Sequence, residues 1–418
     1  MLKATRVSDP ELYEIVAAEL RRQVHNIEMI ASESTAPLEV MELSGCVFTN
    51  KTTEGYPGAR FQAGSKEADR LENLAIKRAK KIFGAEHANL QVYSGSTANY
   101  GVYAAVLTPG DTVLSMRLDQ GGHLTHGSPV HFLSKVYKYI FYGVDPRTEQ
   151  IDYDSIENIA QERKPKLIIA GASSYPRLID YKRMSEIAKK VGAYLMVDMA
   201  HVAGLVAARI IPSPVPYADF VSSSTTKTFC GPRSGLILCK AEHARKLDKG
   251  VFPGSLGSIH LNTIAAKAYS LGYVATPEFR AIMEQVVRNA KKLAEELNSH
   301  GFRIVSGGTD NHIVLLDLRP KGITGKLFQD ALEIVGITVN KNVIPFDSAS
   351  PFVTSGVRIG LTSISQRGLK EPEVVEIASI MNQVANAPEN TANLNDCRVK
   401  AETLIARFPL YPAGSLDE

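Results

Sequence analysis

Between about Ala88 and about Cys239 the chain alternates short apolar runs with stretches of helical period. The runs are ANLQVY, DTVLSM, KLIIAG, AYLMVD, DFVSSS and SGLILC, and a stretch such as YKRMSEIAKKVG repeats its apolar positions every three to four residues. Runs that are apolar throughout mark strands buried on both faces, so the pattern predicts an α/β fold with a mostly parallel sheet covered by helices on either side. Ligands of such sheets sit in the crevice beyond the C-terminal ends of the strands. Ser94 to Ser96, Ser173, Asp198, His201 and Lys227 all fall at or just after such an end.

Past about Leu271 the pattern changes to one long amphipathic helix, TPEFRAIMEQVVRNAKKLAEELNSHG. It is followed by RIVSGG, HIVLLDL, GITVN and GVRIGL with helices between them, which predicts a smaller α+β domain. At the other end SDPELYEIV reads as a helix start, with Ser8 or Asp9 as cap and Pro10 in the first turn. The stretch to about Glu67, rich in Ser, Thr, Gly and Pro, reads as an arm draped over a neighbour. The expected division is therefore an N-terminal segment 1–67 contributing to dimer and active site, a large domain 68–270, and a small domain 271–418.

Composition narrows the class. Of 418 residues 44% are hydrophobic and 22% charged, enough to fold with no sign of disorder, and a net charge of +3 without long like-charged runs argues against sequence-independent nucleic-acid binding. The four cysteines (Cys46, Cys230, Cys239, Cys397) lie far apart and read as isolated thiols in a reducing compartment, with no metal-ligand spacing. No apolar stretch reaches the roughly 18 residues of a membrane span. The expectation is a cytoplasmic protein that needs no metal and binds neither membrane nor nucleic acid.

Asp198 ends the run AYLMVD, His201 follows three residues on, and Lys227 lies 29 residues further along than Asp198, in SSSTTKTFCGPRSG. Alone, Asp198 would read as a helix cap and Lys227 as a surface charge. Together they suit pyridoxal phosphate: a carboxylate keeps the pyridine nitrogen protonated, the lysine holds the cofactor, and hydroxyls bind phosphate. SGSTAN, from Ser94 to Asn99, offers hydroxyls and amides at a helix N-terminus, where phosphates bind readily.

Several segments carry a family resemblance. LSGCVFTNKTTEGYPGAR, SGSTAN, GGHLTHGS, GASSYPR, VDMAHVAGLVAA, TTKTFCGPRSG, VFPGSLGS, TDNHIVLLDL, VNKNVIPFD, SPFVTSGVRIG and RFPLYP resemble, in order and spacing, the signature segments of serine hydroxymethyltransferases, from about Glu28 to about Pro412. The resemblance implies the aspartate-aminotransferase-like fold of PLP enzymes (fold type I), a homodimer or a tetramer with shared active sites, an amino-acid substrate, and tetrahydrofolate as a possible co-substrate. It implies that Lys227 holds the cofactor, Asp198 pairs with the ring nitrogen, His201 sits by the phenolic oxygen and His123 stacks on the ring. Ser94, Gly95 and Ser96 hold the phosphate with Gly257 of a second copy, and Ser173 and Ser224 join the cofactor set. Arg358 grips the amino-acid carboxylate, assisted by Ser32 with Arg233 close by, and Glu54 manages protons during hydroxymethyl transfer. Leu124 and position 346 border the folate.

The chain also departs from the family pattern N-K-Y-A-E-G-Y-P-G-x-R-Y-Y-G-G. Thr52 replaces the first tyrosine, Phe61 and Gln62 the tyrosine pair, and Ala63 a glycine; Thr226 replaces the histidine before the lysine, and Phe346 an asparagine. Thr52, Gln62 and Thr226 are thus expected at the substrate. Lost aromatic bulk beside retained catalytic residues suggests room for a larger substituent on Cα, such as the methyl of α-methylserine, a substrate of some relatives. Ordinary serine hydroxymethyl transfer, a folate-independent aldolase or transaldolase, and a binding protein without catalysis are the alternatives.

Overall fold

The computed structural model describes residues 3–412, in two compact units: Ala36–Glu284, and Met1–Thr35 together with Gln285–Glu418. The larger unit is built on seven strands: β1 (His87–Asn89), β2 (Thr112–Met116), β3 (Lys138–Tyr142), β4 (Leu167–Ala170), β5 (Tyr194–Asp198), β6 (Phe220–Ser224) and β7 (Gly235–Cys239). Their order is β1-β7-β6-β5-β4-β2-β3, and only β7 runs against its neighbours. Strands β4, β6 and β7 are buried along their whole length, as continuous apolar runs require of a sheet covered on both faces. Val113, Leu167, Ile169, Met196, Phe220 and Ile237 form one core with Val102 and Val106 of helix α1 (Gly95–Val106).

Five of these strands coincide with predicted runs to within a residue or two. The run ANLQVY becomes strand only at its start, and β3 was not among the predicted runs. KYIFY lies at the sheet edge with only Tyr142 fully buried, so it lacks the continuous apolar character that marks an inner strand.

Two glycines hold strand ends close together. Gly171, just past β4, has φ +153°, and a Cβ there would lie 2.9 Å from the Asp198 Cβ. Beyond β5 the chain turns into the short helix α2 (Ala203–Ala207), where a Cβ on Gly204 would overlap the Thr228 carbonyl. Gly204 N–H donates to Thr228 Oγ1 at 3.0 Å, and that hydroxyl donates to the His201 carbonyl at 2.8 Å. The segment that follows Asp198 is thereby laced to the turn carrying Lys227.

In the second unit four antiparallel strands, β8 (Arg303–Ile304), β9 (Ile313–Asp317), β10 (Asn340–Asn342) and β11 (Gly356–Gly360), stand in the order β8-β9-β11-β10. The N-terminal helix Pro10–His25 is capped by Asp9, whose side chain accepts from Leu12 N–H at 3.1 Å, and none of its residues is buried. After it Ile27–Glu28 pairs in parallel with Ile337–Thr338, and the Arg367 guanidinium donates to the Gln23, Val24 and Asn26 carbonyls at 2.9–3.1 Å. These contacts place residues up to Thr35 with the C-terminal unit, so the division falls after residues 35 and 284, where the sequence suggested 67 and 270. Helix Pro277–Ser299 runs unbroken through the second boundary, which explains why the periodicity gave no sign of it. Among the described residues no helix is long and apolar enough to cross a membrane.

Gly204→Ala should cost about 1–3 kcal/mol of stability, the usual penalty for forcing a methyl into filled space. Chemical denaturation measures it; an unchanged unfolding midpoint would show that the α2 contact to Thr228 is loose.

Candidate active site

The C-terminal end of β5 delivers Asp198 into a set of donors. Oδ2 accepts from Asn99 Nδ2 at 2.9 Å and from His126 Nε2 at 3.1 Å, while Oδ1 accepts from Ala200 N–H at 3.0 Å. Burial alone would push the Asp198 carboxyl up. The hydrogen bond and charge of His126, with His123 and the Asn99 amide, outweigh it and hold the group well below the usual carboxylate range. Asn99 is itself fixed, donating to Thr125 Oγ1 at 2.8 Å and accepting from Ser222 Oγ at 2.6 Å.

His123 and His126 lie on one short turn, rings 5.5 Å apart and edge to face. Burial, then the neighbouring His126, push the His123 pKa down to about 4, so its ring is neutral at physiological pH. Its Nδ1 meets Thr125 Oγ1 at 2.8 Å. Lys227 opens a turn after β6 with φ +53°, a left-handed conformation that costs a non-glycine residue about 1–3 kcal/mol and persists where the surroundings over-determine it. The charge of Lys227 is felt at His123, where it adds to the lowering of the pKa. The ligand-capable atoms of His123, His126 and Asp198 lie within 4.8 Å of one another, but His126 Nε2 is already spent on the Asp198 hydrogen bond.

Ser94 caps α1, its side chain accepting from Thr97 N–H at 3.1 Å. Gly95 abuts the end of β6, where a Cβ would stand 3.5 Å from the Ser224 Cβ. Ser224 Oγ in turn meets Thr226 Oγ1 at 2.8 Å. Ser94, Gly95, Ser96, Ser224 and Thr226 therefore gather at one helix N-terminus, whose free N–H groups attract anions. Behind it the buried Lys267 donates to the carbonyls of Leu90, Val92 and Gly235, and burial pushes its pKa down to about 7. Ser173 N–H donates to the Gly121 carbonyl at 2.7 Å, next to the His123 loop, and His201 is buried after β5. Arg233 is exposed, as is Leu124.

Glu54 forms a second group with Gln62, which donates to its Oε2 at 3.0 Å, and with Gly257, where a Cβ would lie 3.6 Å from its Oε1. Thr52 beside it is exposed. The remaining candidates belong to the other unit. Arg358 on β11 donates from Nε and Nη2 to Asn340 Oδ1, both at 3.2 Å, and burial pushes its pKa down to about 10. Ser32 is half-buried in a turn; Phe346 is 49% exposed with φ +58°, a conformation that asparagine adopts far more readily than an aromatic residue.

A family model for serine hydroxymethyltransferase matches residues 5–381. The chain belongs to the serine hydroxymethyltransferase family. Its fold is PLP fold type I, and it is a one-carbon transferase whose cofactor is pyridoxal phosphate and whose family uses tetrahydrofolate as co-substrate. The donor set fits that cofactor: a buried carboxylate that stays ionised calls for a protonated nitrogen, a neutral imidazole suits an aromatic face, and a hydroxyl-lined helix N-terminus suits a phosphate.

Three residues of this candidate site carry no mark in the sequence. His126 and Asn99 bind Asp198, and Thr125 links Asn99 to His123. All three lie within GGHLTHGS and SGSTAN, but nothing in those strings tells a carboxylate's partner from a loop residue.

The folded-state pKa of Asp198 lies below its ordinary 3.8, so its contribution is fully present above that value and is lost as pH falls. His126→Leu removes the foremost partner and leaves a buried charge short of a donor, at a cost of about 1–3 kcal/mol or more. The acid-unfolding midpoint of the cofactor-free protein should therefore move to higher pH. A midpoint that stays or moves lower would remove His126 from this role.

Proposed function

We propose that this enzyme breaks and forms the Cα–Cβ bond of α-methylserine, yielding D-alanine and a one-carbon unit handed to tetrahydrofolate or released as formaldehyde. The observation that carries the reading is the pair of threonines, Thr52 and Thr226, at positions where the family has tyrosine and histidine. Thr226 is half-buried immediately before Lys227, and its hydroxyl is turned onto Ser224, so its methyl is the bulk left for the site.

When bound, pyridoxal phosphate supplies an electron sink into which a bond to Cα can break. In this reading Lys227 anchors the cofactor, Asp198 holds a proton on the ring nitrogen, His201 sits by the phenolic oxygen, and neutral His123 covers the ring. Ser94, Gly95, Ser96, Ser173 and Ser224 hold the cofactor on one chain, with Gly257 supplied by a second copy in a homodimer. The planar guanidinium of Arg358 takes the substrate carboxylate in a bidentate grip, with Ser32 and Arg233 assisting. Glu54 takes the proton from the β-hydroxyl as the carbon–carbon bond opens. Leu124 and Phe346 border the folate; Phe346 removes a polar contact to the pterin, so use of tetrahydrofolate is weakened. A cytoplasmic setting suits four separate cysteines, none of which is in a disulfide among the described residues.

Steady-state comparison of α-methylserine and serine, with and without tetrahydrofolate, tests the substrate. One extra methyl in a fitting pocket is worth about 1–3 kcal/mol, so kcat/KM should favour α-methylserine by about tenfold to two-hundredfold. Thr52→Tyr should reverse the preference. A tenfold or greater preference for serine would leave ordinary serine hydroxymethyl transfer in its place.

Asp198→Asn tests the site. It should still bind the cofactor, seen by absorbance, but lose most turnover, because a neutral amide cannot hold the ring nitrogen protonated. Near-normal turnover would overturn the role given to Asp198.

A further inference from the structure

Glu54 is gripped at two points by one side chain. Gln62 Oε1 accepts the main-chain N–H of Glu54 at 2.7 Å, and Gln62 Nε2 donates to Glu54 Oε2 at 3.0 Å. The turn that brings them together is itself fixed. Phe61 N–H donates to the Glu54 carbonyl at 3.2 Å, Gly55 takes φ +84°, and Ser65 Oγ donates to the Gln62 carbonyl at 2.9 Å. Arg60, between them, is pinned by Asp69 at 2.8 Å, Glu72 at 2.5 Å and the Gly55 carbonyl at 2.6 Å. The other carboxylate oxygen, Oε1, faces Gly257.

We propose that Gln62 is a positioning residue that selects the working oxygen of Glu54. Oε2 is occupied by an amide, which donates a hydrogen bond but has no proton to give up at physiological pH. Oε1 is left to exchange the proton of the substrate's β-hydroxyl. As the Cα–Cβ bond breaks, that proton passes to Oε1, the O–H electron pair becomes the second carbon–oxygen bond of the released aldehyde, and the Cα–Cβ pair stays on the Cα side. A tyrosine at position 62 would set a second ionisable O–H against the carboxylate; the glutamine leaves Glu54 the only proton carrier of the pair. Gln62 thus acts through Glu54 and does not touch the substrate, unlike its expected place among substrate-binding residues. The inference rests on Glu54 being the proton-managing group.

A double-mutant cycle of Glu54→Gln and Gln62→Met on the holoenzyme tests both levels. Gln62→Met should lower kcat about ten- to a hundredfold, the scale of a displaced catalytic group, with KM little changed. In the Glu54→Gln background it should cost nothing further. Gln62→Glu, which keeps the shape and reverses the donor, should lose kcat likewise and serves if the methionine variant folds poorly. On chemical unfolding of the cofactor-free protein the two substitutions should be non-additive. A raised KM at unchanged kcat would mean that Gln62 binds substrate itself, and additive losses would mean that it does not work through Glu54; either overturns the proposal. Normal turnover of Glu54→Gln would instead overturn the role of Glu54, and the proposal with it.

Discussion

The larger unit is organised around a carboxylate that stays charged in a buried position. An ionised group removed from water is tolerated only with several donors, and Asp198 has three, from Asn99, His126 and Ala200. The amide donor is held in turn. Asn99 is clamped by Thr125 and Ser222, and Ser222 is the register partner of Asp198 on the adjacent strand. In this network both Asp198 oxygens are satisfied, although His126 Nδ1 is buried without a hydrogen-bond partner among the described residues, and losing any of the three donors leaves a buried charge short of a partner.

That network also accounts for the close backbone contacts. The glycines at 171 and 204 bring the end of β4 and the Lys227 turn against the segment around Asp198 at distances that a side chain would prevent. Lys227 takes a left-handed conformation in the adjoining turn, and Thr228 ties that turn to His201. The positions of the lysine, the aspartate and the histidines are therefore one packing solution, which is why parallel strand ends make such good scaffolds for cofactors.

The Glu54 turn follows another logic. Its carboxylate is half-buried, and its orientation comes from a neighbouring amide and a braced hairpin, so small changes in that hairpin can retune it without disturbing Asp198. The departures from the family pattern at Thr52, Phe61, Gln62 and Ala63 fall on this turn and beside it, whereas Asp198, His123 and Lys227 are kept. Altered specificity is physically easier where a side chain's neighbours are local and few.

Much of this was legible in the residues alone. Continuous apolar runs identify strands buried on both faces, because only such strands can be apolar throughout, and the placing of Asp198 at the end of one and Lys227 just past another makes them candidates on the sequence alone. The edge strand Lys138–Tyr142 escaped notice because an edge needs no continuous apolar run, and the affiliation of residues before Thr35 escaped because a two-residue pairing with Ile337–Thr338 has no periodicity to read. Nor could the sequence distinguish His126 from His123, three residues apart on one turn, or show that Gln62 faces Glu54. Periodicity and motif order are local and survive in a string of letters. Hydrogen-bond partners are decided by which side chains the packed backbone brings within about 3 Å, and that is settled only when distant segments meet.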